Sequence, residues 1–454
     1  MPEQILVAFD GDGSGTGELT WGQQDIWRSM QYERASHGIG GIRVLPAGCT
    51  VDDVAGDLRF LMERHQSLRT RLAFAADGRP LQVVASSGQV PLEIVETGDA
   101  DPAEVAGRLY QPYYEAAFDY AADWPIRWAV VQQRGVATHV VGVVCHLAAD
   151  GQGIAVLLAD LASRDPVSGL AKGPVTGIEP LELARQQRSP AGQRQSEASL
   201  RHWERHLRAI PARRFRGSAG VRHPRYWQAI YTSPAMDVAA RVIAARSGAD
   251  TSVVLLAAFA VALARLTGIN PVVAQIVVSN RFRPGLAGTV SPVSQAGLCV
   301  IDVTGGTFDE IAARTRQAML RASKNAYYDP LRWQELVTAV SCERGEQIDL
   351  SCSVNDRRML AGQAADGPPP TAGDVRAALP LSELAWGYQR DRPSQRLFLH
   401  LNGVPAVNYE LCADTQFVSP ADMQECLRQM ESVTVAAALG AATVAGPRSA
   451  RTPA

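Results

Sequence analysis

Val140-Val-Gly-Val-Val-Cys145-His146-Leu-Ala-Ala-Asp150-Gly151-Gln-Gly153 is the stretch on which the reading of this chain turns. Val140 to Val144 is short, β-branched and almost uninterrupted, the pattern of a strand buried on both faces. Beyond Gly153, residues Ile154, Leu157, Leu158 and Leu161 recur at helical spacing along one face. A strand therefore runs through a polar turn into an amphipathic helix. His146 stands where the strand ends, a place from which an imidazole can exchange a proton near neutral pH, and Asp150 can brace the turn. Taken alone, a His at a strand end reads more simply as a hydrogen-bonded core residue than as a catalyst, so the rest of the chain has to decide between the two.

The 454 residues suffice for two large domains or one double-lobed unit. A hydrophobic share of 46% and a formal charge of −2 give no electrostatic footprint for nucleic acid. The seven Cys are odd in number and contain no C-x-x-C pair, which argues against a disulfide framework and a zinc site and for reduced thiols. Met1-Pro-Glu-Gln lacks the basic region and apolar core of a signal peptide, and the longest apolar run, Val253 to Ala264, is too short to span a bilayer. A cytoplasmic protein with no membrane partner is expected.

Asp10-Gly-Asp-Gly-Ser-Gly-Thr-Gly17 follows a first strand at residues 5 to 9. As a calcium loop it offers Asp10, Asp12 and Ser14, but Trp21 occupies the position that needs a bidentate Glu. As a phosphate loop it lacks the Lys-Ser/Thr ending, so a flexible turn is the better account. His202 and His206, four residues apart, have no third metal ligand nearby and read as surface histidines. No metal and no bound cofactor are expected.

His146-x-x-x-Asp150-Gly151 resembles the second half of the His-His-x-x-x-Asp-Gly signature of condensation domains of non-ribosomal peptide synthetases and related acyltransferases, with Cys145 where the first His stands. Further blocks carry the same resemblance in the same order. Thr20-Trp-Gly-Gln-Gln-Asp-Ile-Trp27 resembles an opening Ser-x-x-Gln-x-x-x-Trp motif, with Thr20 as candidate N-cap. Arg64-His-Gln-Ser-Leu-Arg-Thr70 is similar to the family's Arg-His-x-x-Leu-Arg-Thr segment, where His65 and Arg69 are structural. Phe118-Asp119 with Pro125-Ile-Arg127, the Trp203 helix, the apolar helix Thr251 to Gly268, and Ser279-Asn280-Arg281 also match; Ala326-Tyr-Tyr328 stands at a Tyr-containing helix and Leu350 to Asn355 at a strand. The similarity spans about 19 to 437.

The resemblance implies an α/β fold of two chloramphenicol-acetyltransferase-like lobes, a V-shaped pseudo-dimer with a tunnel between them. Its parts would be an N-terminal lobe at 1–165, a Pro-rich linker at 166–196, a C-terminal lobe at 197–437 and a disordered tail at 438–454. It implies His146 as the catalytic residue. Arg281 would pair with Asp150 across the lobe interface to fix the turn, with Gly151 and Cys145 in support. Strand alternation puts Cys145 opposite His146, so Cys145 supports the fold; a nucleophilic thiol would need a basic, accessible setting that Val143, Val144 and Leu147 do not offer. Gly151 and Gly153 leave backbone amides free near the site. Positions 361–380 suggest a mobile loop, and the arginines of Arg201 to Arg216 either a docking face or a solvated helix face.

The activity so implied is transfer of a carrier-bound acyl or aminoacyl thioester to an amine in natural-product biosynthesis. The partners would be an acyl or peptidyl carrier protein, whose phosphopantetheine arm is part of the substrate, and a small-molecule amine or alcohol acceptor. No adenylation, carrier or thioesterase segment accompanies the match, so a free-standing, monomeric protein acting in trans is expected. An ester-forming O-acyltransferase and a non-catalytic protein that binds carriers or tailoring partners remain as alternatives. An epimerase lacks its Glu-bearing motif here, and a heterocyclising variant would carry Asp where Cys145 stands.

Overall fold

The computed structural model describes residues 3–165, 168–215, 217, 222–358, 370–392, 394–403 and 407–440. The chain divides into two compact units, Met1–Arg194 with Ser279–Ser294, and Gln195–Val278 with Gln295–Ala454. The segment that carries Arg281 thus belongs to the first unit, together with Asp150, although it lies in the second half of the sequence.

The first unit contains β1 (Glu3–Asp10), β2 (Gly15–Glu18), α1 (Trp21–Glu33), β3 (Gly38–Val44), α2 (Val51–Arg64), β4 (Thr70–Phe74), β5 (Pro80–Val84), β6 (Ser87–Glu96), α3 (Pro102–Glu115), β7 (Ile126–Gln133), β8 (Val136–Cys145), α4 (Gly151–Ser163) and α5 (Pro180–Arg188). Five strands form a sheet in the order β1-β6-β7-β8-β3, and β2-β5-β4 form a small antiparallel sheet. Only the β6–β7 pair of the larger sheet is parallel. Alternation along the strands splits the core between two faces. Val130, Val140 and Val144 pack with Val54, Leu58 and Leu61 of α2 and Leu157 of α4, whereas Ala129, Val131 and Val141 pack with Ala106 of α3. The Val140–Val144 stretch of β8 is therefore buried on both sides, as its nearly uninterrupted valines predict.

Thr20 caps α1 in a reciprocal box with Gln23, satisfying backbone donors at the helix start. Of the Asp10–Gly17 stretch expected as a flexible turn, Gly15–Gly17 belong to β2 and the turn at 11–14 is stapled. The Arg69 guanidinium, whose side chain is buried, donates to the carbonyls of Gly13, Asp12 and Ala85. A Cβ on Gly11 would collide with the Glu63 carbonyl, so a glycine is needed at that position for close backbone approach.

α6 (Pro190–Ala209) runs from the first unit into the second, which adds β9 (Tyr226–Thr232), α7 (Pro234–Ser247), α8 (Thr251–Thr267), β10 (Val272–Val278), β11 (Gln295–Ile301), α9 (Phe308–Lys324), α10 (Pro330–Arg344), β12 (Cys352–Asp356), α11 (Ala372–Ala378), β13 (Glu383–Arg390), β14 (Leu397–Asn402), β15 (Asn408–Asp414) and α12 (Pro420–Ala438). The seven strands lie in the order β11-β10-β12-β14-β15-β9-β13. β10 is parallel to β12 on one edge and antiparallel to β11 on the other. α8 is buried throughout Val253–Ala264, so its all-round hydrophobicity is that of a core helix. Among the described residues no single helix is long and apolar enough to cross a membrane.

Four local expectations change. Pro180 and Pro190 each open a helix, at positions where the missing N–H costs nothing, so much of the stretch read as linker is helical. Within 361–380, residues 372–378 form α11 with a Thr371–Asp374 capping box, while 361–369 lie outside the described residues. Tyr327 and Tyr328 sit in the α9–α10 connection, because Asp329 and Pro330 start a new helix there. His202 is 6% exposed and meets His206 edge-on, since the Trp203 face of α6 turns it into the unit. Most of the expected tail, 441–454, lies outside the described residues.

Candidate active site

β8 ends at Cys145, paired with Gly38 of β3, and the chain turns through His146, Leu147 and Ala148 before α4. The His146 N–H donates to the His37 carbonyl at 2.7 Å, and the Ala148 N–H to the Cys145 carbonyl at 2.9 Å, which fixes the turn's backbone. Half-buried His146 places Nδ1 2.9 Å from the Ala149 carbonyl oxygen. A carbonyl can only accept, so Nδ1 carries a proton, and in the neutral form of the ring the lone pair lies on Nε2. That is the tautomer of a base.

Asp150 anchors the turn from the other side. It is the N-cap of α4, and its side chain, 3% exposed, accepts from five donors. Oδ1 receives the Gly153 N–H at 2.8 Å and Nη2 of Arg281. Oδ2 receives the N–H groups of Val293 and Ser294 at 3.2 and 3.3 Å and the Ser294 hydroxyl at 2.9 Å. Arg281 directs its second terminal nitrogen, Nη1, at the carbonyls of Leu286, Ala287 and Thr289. A buried carboxylate is tolerated when paired and fully hydrogen-bonded in this way.

The structure thus brings Asp150, Arg281 and Gly151, the first residue of α4, together beside His146, all within one unit rather than across two. Gly153 differs from expectation: its amide is held by Asp150 and is not free for an oxyanion. Cys145 is 1% exposed among Leu19, Met30, Leu72, Phe118 and Leu147, and burial pushes its thiol up to about 12. A thiol so placed is inert at neutral pH. Beside it lies a cavity of about 20 Å³, room for about one water, lined among others by Gln23, Ser67 and Tyr120.

His65 and Arg69 lie apart from this turn, His65 with Nε2 2.9 Å from the Asp160 carboxylate and Arg69 in its loop staple. Sequence reasoning assigned no role to Gln23, whose Nε2 reaches the Leu147 carbonyl at 3.4 Å, nor to Val293 and Ser294. Gln23 had a signal in its spacing from Thr20; backbone donors such as Val293 have none. Among the described residues no group of three His, Cys, Asp or Glu could hold a metal, and all seven Cys are free.

The condensation-domain profile matches residues 18–349. The chain belongs to the condensation-domain family. Among its relatives, phosphinothricin tripeptide synthetase PhsC of Streptomyces viridochromogenes is 26% identical over 350 residues, covering 73% of this chain and 32% of the synthetase. The chain therefore spans about a third or less of the curated relatives it matches. The condensation domain that mediates chain release from the enacyloxin polyketide synthase has the same fold, with a TM-score of 0.70 at 19% identity over 95% of this chain and 85% of that one. So does a structure of the X-domain with OxyB from teicoplanin biosynthesis, with a TM-score of 0.69 at 18% identity and 95% coverage of both chains. The α/β fold is thus that of condensation domains, a family of non-ribosomal peptide synthesis and antibiotic biosynthesis.

Proposed function

We infer that this condensation domain is an active acyltransferase that forms an amide between a carrier-protein-bound acyl or aminoacyl thioester and an amine. The observation that carries this reading is His146, whose Nδ1 faces the Ala149 carbonyl, the tautomer that puts the basic lone pair on Nε2, on a turn anchored by Asp150. The amine nitrogen attacks the thioester carbonyl carbon and charge develops on its oxygen. Nε2 takes the proton the amine must lose. When the C–S bond breaks, that proton passes to the departing pantetheine sulfur, leaving amide, free thiol and neutral His146. The phosphopantetheine arm is thus part of the substrate, and the domain needs no cofactor of its own. An alcohol acceptor, giving an ester, would lean harder on the same base because its proton is held more tightly.

Cys145 favours a second reading, since it replaces the first signature His: a non-catalytic domain that docks carriers or tailoring partners. One experiment separates the two. The producing strain is compared with a deletion and with His146→Ala at matched protein level, by mass spectrometry of its metabolites. Loss of product in both, with accumulating precursors, supports catalysis and gives the substrate masses. Unchanged product with His146→Ala sinks it in favour of docking.

A further inference from the structure

Residues 173–179, in the stretch read from sequence as linker, form a strap fastened at both ends. Arg64 donates to the Gly173 and Pro174 carbonyls at 2.9 and 3.2 Å, and the Glu179 carboxylate accepts the Gln66 N–H at 3.1 Å. Between those anchors the strap lies directly on the loop that carries Arg281. A Cβ on Gly177 would collide with the backbone of Gly288 and Thr289, and one on Gly288 with the Thr176 hydroxyl. At Gly177 the two backbones approach too closely for any side chain there.

Thr289, 1% exposed, is where strap and loop meet. Its hydroxyl accepts the Ile178 N–H at 3.0 Å and donates to the Gly285 carbonyl at 3.1 Å. Its own carbonyl receives Nη1 of Arg281 at 2.7 Å, the shortest of the three carbonyl bonds that hold that nitrogen. The line of contact then continues from Arg281 to Asp150, and from the Asp150 turn to the Ala149 carbonyl that fixes His146.

We propose that Thr289 is a positioning residue: clamped by the 173–179 strap, it sets Arg281 and through it the Asp150 turn that holds His146 in its Nδ1–H tautomer. The assignment rests on the reading of His146 as the base. Thr289→Val keeps the volume and removes the hydroxyl, so the strap keeps only the direct Ile178 N–H to Gly285 carbonyl bond at 3.2 Å, and the carbonyl under Arg281 is held less firmly, by the Thr289 N–H to Leu286 bond alone.

The test uses the full chain labelled with 15N-histidine, in which long-range proton–nitrogen NMR reads the His146 tautomer without any substrate, His146→Ala supplying the assignment. Product titre in the producing strain is followed in parallel. Thr289→Val should lower the Nδ1–H population of His146 and reduce product formation about three- to tenfold. Thr289→Ser, which keeps the hydroxyl, should restore both. In an Arg281→Lys background Thr289→Val should add nothing, because both act through one contact. If Thr289→Val does not fold, Gly177→Ala displaces the same joint from the strap side and is read in the same way. A folded Thr289→Val with wild-type His146 signals, or an effect that adds fully to Arg281→Lys, overturns the assignment. Wild-type product from His146→Ala overturns the catalytic reading instead and leaves the tautomer measurement to judge Thr289.

Discussion

Asparagine at position 150 distinguishes a helix cap from a charged anchor. Asn caps helices as well as Asp does, so if Asp150 only capped α4, Asp150→Asn would change stability by no more than a few tenths of a kcal/mol. The carboxylate, however, uses both oxygens for five donors. An amide keeps one acceptor. With its oxygen toward Gly153 and Arg281, its NH2 faces the Val293 and Ser294 amides and the Ser294 hydroxyl; flipped, it faces the Gly153 amide and a guanidinium. A lost charge-assisted bond costs about 1.5–3 kcal/mol, and stripping one partner from a buried ion pair about 3–5 kcal/mol. The Ser294 hydroxyl can rotate and Arg281 keeps three carbonyls, which places the expected loss near the lower end, about 3 kcal/mol. Urea-dependent hydrogen exchange read by mass spectrometry follows each unit separately, as a chain of two units requires. Peptides from residues 1–194 and 279–294 should lose that protection while those of the second unit keep theirs. A loss below about 1 kcal/mol would refute the anchor and leave Asp150 an ordinary cap.

Cys145 should resist alkylation in the native chain while exposed Cys342 reacts, because burial holds the Cys145 thiol near 12; peptide mapping after iodoacetamide at pH 8 reads this, and native labelling of Cys145 would contradict its burial. His202 should make the second unit acid-labile. Burial, then neighbouring His206, Arg205 and Arg321, bring it down from its usual 6.5 to about 4. Between those values the unfolded chain takes up a proton that the folded unit refuses, so its contribution is intact above about 6.5 and is lost as pH falls toward 4. His202→Gln should therefore shrink the drop in urea midpoint between pH 7 and pH 5, and an equal drop in both proteins would rule His202 out as a cause.

What the sequence makes legible here is what is local. The valines of β8, the apolar face of α4 (Ile154, Leu157 and Leu161, though Leu158 of the same pattern is exposed) and the Thr20–Gln23 spacing each lie within a few residues of what they specify. The anchoring of Asp150 was visible only through Arg281, because a guanidinium is a recognisable partner and the N–H groups of Val293 and Ser294 are common to any residue. The strap is illegible in the sequence for a related reason. Its hold comes from the lack of side chains at Gly177 and Gly288, which in sequence looks the same as looseness. Pro180 and Pro190 likewise read as breaks, since a proline that opens a helix and one that interrupts it differ only in whether the residues after it are helical.

The excursion of residues 279–294 bears on how this chain could be cut and recombined. A fragment ending at Arg194 keeps Asp150 and His146 but leaves behind Arg281, Thr289, Val293 and Ser294, so it would expose a carboxylate built to meet four donors supplied from downstream. A chimera joined at that junction would then inherit its anchor from a different parent than its His. For exchange between relatives, the heritable block is discontinuous: residues 1–194 travel with 279–294, and a crossover that separates them asks one parent's loop to fit the other's turn.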